Sequence, residues 1–161
     1  MAGTVTLVAF DPALRTTGVA IWKDGMLVDA FHVTPRISGR GPTAWGAVAD
    51  HVWARAELAQ LDVDVVVLEG QVVYPRSKAD PNDLLQVSGV AGGLASVAVA
   101  RGATVLQYDP AAWKGQAPKE VIAARSRARL TACELASVRK NATLDAWDAI
   151  GIGLHHLQRS P

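Results

Sequence analysis

The chain has 161 residues, and half of them are hydrophobic, so we expect a single domain over residues 1–161 with a substantial core. The formal net charge of +1 does not by itself identify a class of partner. One cysteine, Cys133, excludes a disulfide framework and a cysteine-based zinc site within one chain.

The hydrophobic pattern predicts elements in the order β-β-β-α-β-α-β-α-α, which is typical of an α/β domain with a mixed five-stranded sheet flanked by helices. The strands are predicted at residues 4–10, 18–22, 26–33, 63–68 and 103–107. The helices are predicted at residues 45–59, 84–100, 119–136 and 143–157. Thr143 or Asn141 is the predicted N-cap of the last helix.

The predicted helix 84–100 carries no charged residue, but it is rich in glycine, alanine and serine. That composition favours a buried helix over a membrane span. The amino terminus has no basic region, and Asp11 interrupts its apolar run, so a signal peptide is not indicated. We expect a soluble, intracellular (cytoplasmic) protein without a membrane partner.

Basic residues are concentrated in one segment, 114–140, which contains only two acids, Glu120 and Glu134. The bases of this segment are Lys114, Lys119, Arg125, Arg127, Arg129, Arg139 and Lys140. A local excess of positive charge indicates a polyanionic partner such as nucleic acid. A solvated helix face is the alternative, and the segment alone does not decide between the two.

Four carboxylates stand where the apolar core is predicted to begin. Asp11 follows the first strand, Glu69 follows the fourth, and Asp145 and Asp148 share one face of an apolar helix. Burying a carboxylate is unfavourable unless a partner such as Mg²⁺ compensates its charge. Taken singly, each acid has a local explanation, as a turn cap, a surface ion pair or a partner of the helix dipole. Because the first and fourth strands are predicted to be neighbours, a shared metal site explains the group better.

Three motifs make the sequence resemble the RuvC-type Holliday junction resolvases (crossover junction endodeoxyribonucleases). They are the segments 10–19 (FDPALRTTGV), 68–71 (LEGQ) and 144–149 (LDAWDA). The resemblance covers essentially the whole chain and implies a ribonuclease H-like fold, a homodimer, and cleavage of four-way DNA junctions by paired nicks with Mg²⁺ or Mn²⁺. The chain departs from the family at Ala13, where glycine is usual, and in a longer loop after Glu69, which indicates a divergent, phage-type branch.

The resemblance also implies roles for individual residues. The ligands of two metal ions per active site would be Asp11, Glu69, Asp145 and Asp148. Lys114 and Lys119 match two family lysines near the scissile phosphate and are predicted to act in catalysis and in DNA binding. The other predicted DNA contacts are a junction-stacking aromatic and three phosphate-binding side chains: Tyr74, Arg76, Lys78 and Arg125.

Two other functions stay open from the sequence. A nucleotide-binding domain of the actin and sugar-kinase type shares the opening hairpin and the early aspartate, although this chain is short for two lobes. The other is a catalytically silent branched-DNA-binding protein, against which the presence of all four acids argues. For a junction-cutting homodimer, we expect the uncharged helix 84–100 at or near the interface, because its small residues permit close approach.

Overall fold

The computed structural model describes residues 4–71 and 80–159. The strands are β1 (Thr6–Asp11), β2 (Thr17–Lys23), β3 (Met26–Val33), β4 (Val65–Glu69) and β5 (Thr104–Tyr108). They form one sheet in the order β3-β2-β1-β4-β5, in which β2 is antiparallel to both neighbours and β4 is parallel to β1 and β5. This is the predicted mixed sheet, and the strand bounds differ from the prediction by at most two residues.

The helices of the described residues are α1 (Pro42–Trp53), α2 (Ala56–Ala59), α3 (Pro81–Ala100), α4 (Pro110–Trp113), α5 (Lys119–Arg129), α6 (Ala132–Ser137) and α7 (Leu144–His156). The prediction of one helix over 45–59 is wrong, because Arg55 is extended (ψ 136°) and separates α1 from α2. The prediction of one helix over 119–136 is also wrong. Leu130 is extended (ψ 142°), and α6 then begins with a capping box between Thr131 and Glu134.

The sheet lies between two layers of helices. Side chains alternate along each strand, so Val8 and Phe10 of β1 pack with α1 and α3, whereas Leu7 and Ala9 pack with α7. All six residues of β1 are buried, as expected for the central strand of a sheet that is covered on both faces. The ends of β1 and β4 therefore lie beside α7, where the candidate site is built.

α3 is buried along one face only, so the expectation of a buried helix holds for that face alone. Gln86, Val90, Leu94 and Ala98 recur every four residues and are buried, chiefly against α1. The helix is long and apolar enough to cross a membrane by length and composition. Its buried face nevertheless belongs to the core of this domain, which is the situation of a core helix.

Candidate active site

Asp11 and Glu69 are the last residues of the neighbouring parallel strands β1 and β4. The pairing of Phe10 with Leu68 places the two acids side by side at one edge of the sheet. Since successive side chains alternate, Asp11 lies on the same face as Ala9, which is the face covered by α7. Asp11 and Glu69 are each only 7% exposed, so neither is an ordinary surface carboxylate.

The first turns of α7 supply Asp145 and Asp148. Asp148 is completely buried, whereas 27% of the Asp145 side chain is exposed. α7 approaches the sheet closely because residue 18 in β2 is glycine: a Cβ atom at Gly18 would overlap the carbonyl oxygen of Asp145. Gly18 also pairs with Asp11, so it positions α7 beside β1. The resemblance gives Gly18 no separate role, but a glycine in a buried strand is a signal of close backbone approach.

Lys119, the first residue of α5, reaches into the cluster of carboxylates. Its Nζ atom lies 2.6 Å from Asp145 and 3.2 Å from both Asp11 and Asp148. Burial lowers the pKa of the Lys119 ammonium, but attraction by these three carboxylates outweighs burial and raises the pKa above its ordinary value. Lys119 is therefore protonated and acts as an internal counter-ion.

Lys114, which follows α4, approaches the same cluster from the side of β4. Its Nζ atom lies 2.6 Å from Glu69 and 3.9 Å from Asp148, and 4.9 Å from the centre of the Trp113 ring. The six residues predicted for catalysis thus converge at one edge of the sheet. They come from β1, from β4, from the end of α4, from the start of α5, and from α7.

Four carboxylates and two ammonium groups leave two negative charges in excess when all of them are ionised. Burial raises the pKa of Asp11 to about 7, with Lys119 opposing the rise and the other three carboxylates adding to it. Burial likewise raises the pKa of Asp148, against the attraction of the two lysines. A buried, crowded set of carboxylates is an environment that a divalent cation stabilises.

The buried oxygen atoms of the cluster that accept no hydrogen bond fit a metal ion. Both carboxylate oxygens of Asp148, and Oε2 of Glu69, are buried without a hydrogen-bond partner in the described residues; the lysines approach them as ion pairs only. Such hard oxygen donors suit Mg²⁺ or Mn²⁺. As arranged, no three acidic, histidine or cysteine side chains within 4–71 and 80–159 are placed to hold one ion, and Lys119 lies among three of the acids. A metal ion would therefore have to displace the Lys119 ammonium.

Of the remaining predicted DNA contacts, the structure describes only Arg125. Tyr74, Arg76 and Lys78 fall in residues 72–79, outside the described residues. Arg125 is exposed on α5, almost two turns beyond Lys119, and lines a small cavity of about 40 Å³. Its contact with DNA stays a prediction.

The sequence matches no known family model and no curated protein, but the fold matches solved structures. RuvC of T. thermophilus in complex with a Holliday junction substrate aligns over 95% of this chain and 92% of that chain, with a TM-score of 0.69 and 19% identity. A second Thermus thermophilus RuvC structure aligns over 95% and 93%, with a TM-score of 0.65 and 20% identity. The yeast mitochondrial Holliday junction resolvase aligns over 92% and 76%, with a TM-score of 0.60 and 11% identity.

At identities of 20% or less, these similarities establish a shared fold. They agree with the resemblance that the three sequence motifs indicate. They also confirm the predicted fold class, an α/β domain with a mixed five-stranded sheet flanked by helices. The chain has the ribonuclease H-like fold of RuvC.

Proposed function

We propose that this protein is a metal-dependent endonuclease that resolves four-way (Holliday) DNA junctions by hydrolysing phosphodiester bonds with paired nicks. The observation that carries the proposal is the convergence of Asp11, Glu69, Asp145 and Asp148 on the fold of RuvC. That RuvC was solved in complex with a Holliday junction substrate, which supports branched DNA as the partner. The proposed enzyme is a soluble, cytoplasmic protein that acts in DNA recombination and repair.

The four carboxylates would hold the metal, and we propose two Mg²⁺ or Mn²⁺ ions per active site. When bound, the ions would activate the attacking water and stabilise charge on the leaving oxygen. The protein holds Asp11 and Glu69 at the ends of two buried strands and Asp148 inside the core, so these ligands are fixed before DNA binds. Lys114 and Lys119 would hold the DNA backbone and offset the charge that develops on the phosphate.

A synthetic four-way junction tests the proposed activity directly. We expect paired nicks with Mg²⁺ or Mn²⁺, no nicks in EDTA, and binding in both conditions, with a linear duplex of the same sequence as the control. Binding without nicking in either metal would indicate the catalytically silent branched-DNA-binding protein instead. Nucleotide binding without junction binding would indicate a domain of the actin and sugar-kinase type.

Lys119→Met tests whether Lys119 acts as the counter-ion of the cluster. In EDTA, its thermal midpoint is expected to fall by about 2–4 °C, the equivalent of ~1 kcal/mol in a domain of this size, because Asp11, Asp145 and Asp148 lose their shared cation. Mg²⁺ should then raise the midpoint more than in the wild type, since no ammonium competes with it. Thermal melts measure both shifts, with the exposed Lys23→Met as control. Equal Mg²⁺-dependent shifts in Lys119→Met and the wild type would contradict this role.

We also propose a two-fold symmetric homodimer with α3 at or near its interface. Gly89 and Gly93 of α3 face Trp45 and Ala49 of α1 and so serve packing within the chain, whereas a Cβ atom at Gly92 would meet open space. The exposed residues on this outer face of α3 are Leu85, Ser88, Gly92, Ser96 and Val99. A four-way junction needs two matched cuts, so two active sites related by a two-fold axis suit it.

Gly92→Arg is expected to weaken this dimer at least about 100-fold, because a long charged side chain would be buried on the outer face of α3, where the small residues permit close approach. Sedimentation velocity at micromolar concentration should show a dimeric wild type and a monomeric variant. The variant should keep its helix content, since the position is open. Ala136→Arg, exposed on α6, is the control and should stay dimeric. A monomeric wild type, or a dimeric Gly92→Arg variant, would exclude this interface.

A further inference from the structure

A surface pocket of about 380 Å³ lies between the second half of α5, the segment after α6, and α7. Arg127, Arg139 and Lys140 line it with positive charge, and Trp147 lines it with an aromatic ring. Leu135, Val138 and Ala142 complete the described lining, which includes none of the four proposed metal ligands. The pocket is therefore a basic cavity that the proposed active site does not use.

Arg139 forms a fixed wall of this pocket. Its guanidinium donates hydrogen bonds to Asp29 at 2.6 and 3.0 Å and to Glu57 at 2.8 Å, and it lies over the ring of Phe31. Glu57 also pairs with Arg55 at 3.5 Å. The charges of Asp29 and Glu57 are thus balanced by Arg139 and Arg55. Neither acid compensates the charge of the other pocket cations, Arg127 and Lys140.

Arg127 and Lys140 give the pocket its net positive charge. Neither forms an ion pair with an acid within residues 4–71 and 80–159. The Arg127 guanidinium lies 4.8 Å from the centre of the Trp147 ring, which restrains it, and Lys140 is exposed. A restrained guanidinium loses little conformational entropy when it binds an anion, and its planar donors match phosphate oxygens.

We propose that this pocket binds a backbone phosphate of DNA, on a duplex arm that leads away from the carboxylate cluster. The inference rests on the proposed function and adds a second contact to it. α5 joins the two places, because it begins with Lys119 in the cluster and carries Arg127 two turns later, ~12 Å along the helix. One DNA strand carries a phosphate every ~3.4 Å of duplex axis, so a duplex arm that runs along α5 would place the pocket about three to four base pairs from the cut.

The salt dependence of junction binding tests the pocket separately from cleavage. Affinity for a four-way junction is measured in EDTA at several NaCl concentrations for the wild type and the double variant Arg127→Gln/Lys140→Gln. The double variant should bind about tenfold more weakly at low salt. Its slope of log K against log salt should be smaller by about 0.9, the contribution of one phosphate. Lys23→Gln, which removes an exposed charge at the far end of β2, should keep the wild-type slope.

An unchanged affinity and slope in the double variant would overturn the proposal. A second result would also overturn it: inorganic phosphate raises the thermal midpoint of the wild type but not of the double variant, while the salt dependence of junction binding is the same in both. The pocket would then bind free phosphate and not DNA. If the double variant does not fold, Lys140→Gln alone must weaken junction binding relative to Lys23→Gln. A wild type that binds the junction with the expected slope but does not cut it would contradict the nuclease function and leave the pocket supported.

Discussion

Asp11→Asn is expected to reduce junction cleavage at least about 100-fold and to leave junction binding in EDTA unchanged. Removing a residue that only hydrogen-bonds to a metal ligand already lowers metal affinity or activity by about 10–100-fold. Asp11 is proposed to bind the metal directly. The variant keeps every basic side chain, so its affinity for the DNA backbone is retained. Single-turnover cleavage of a labelled junction and a gel-shift titration in EDTA measure the two properties. Glu69→Gln should behave in the same way.

Loss of folding is not expected to explain the loss of cleavage. Burial raises the pKa of Asp11 from 3.8 to about 7, so in the metal-free protein its ionisation opposes folding, increasingly from pH 4 to 7 and fully above pH 7. The neutral amide of Asp11→Asn removes this opposition, so its thermal midpoint at pH 8 in EDTA should be at least that of the wild type. Asp62→Asn, an exposed carboxylate before β4, is the control and should cut normally. Near-normal cleavage by Asp11→Asn or Glu69→Gln would remove that residue from the site.

Glu134→Ala is expected to have the largest effect on stability. Glu134 is 1% exposed, accepts hydrogen bonds from the backbone N–H groups of Leu27 at 3.0 Å and Thr131 at 2.9 Å, and pairs with Arg159. Removing the carboxylate would leave a guanidinium and two N–H groups without their partner, so the free energy of unfolding should fall by about 3–5 kcal/mol. Urea denaturation measures the loss. Glu120→Ala, exposed on α5, is the control and should lose less than about 0.5 kcal/mol.

The contribution of Glu134 should also depend on pH. The Arg159 guanidinium, together with the backbone donors, lowers the pKa of Glu134 from 4.5 to about 2. A lowered pKa in the folded state means that the stabilisation is fully present above pH 4.5 and is lost as the pH falls towards 2. The difference in unfolding free energy between wild type and Glu134→Ala should therefore be constant from about pH 6 to 8 and shrink below pH 4.5. A difference that stays constant down to pH 2.5 would contradict the ion pair.

The sheet and the candidate site could be predicted because their signals are local. The dense apolar run at 63–68 identifies a buried strand, and an acid at its end is conspicuous. Asp145 and Asp148 are three residues apart in an apolar helix, which fixes them to one face without knowledge of the fold. These acids converge once β1 and β4 are neighbours in the sheet. The general rules for how successive strands are connected favour that arrangement. Their roles as metal ligands stay predictions.

The features that escaped prediction depend on tertiary contacts or on weaker signals. The resemblance predicted Lys119 for the site, but its ion pairs with acids of β1 and α7 are tertiary contacts that its neighbouring sequence does not specify. The break at Leu130 had a local signal, the Thr131 to Glu134 capping box, but the helical pattern on either side obscures it. Burial of only one face of α3 depends on where α1 packs, and a helix without charges does not show which face that is.

The geometry of the site depends on the absence of a Cβ atom at Gly18. The main chain of the first turn of α7 contacts the main chain of β2 at Gly18, and Gly18 pairs with Asp11. The distance between Asp11 and the acids of α7 is therefore fixed by a contact between two backbones. A contact between two stretches of main chain places few demands on the neighbouring side chains, apart from glycine at residue 18. The solved structures that share this fold are only 11–20% identical to the chain. Remote relatives could be sought by this geometry, a strand-end aspartate paired with a glycine beneath a helix that carries two acids, where alignment of sequences fails.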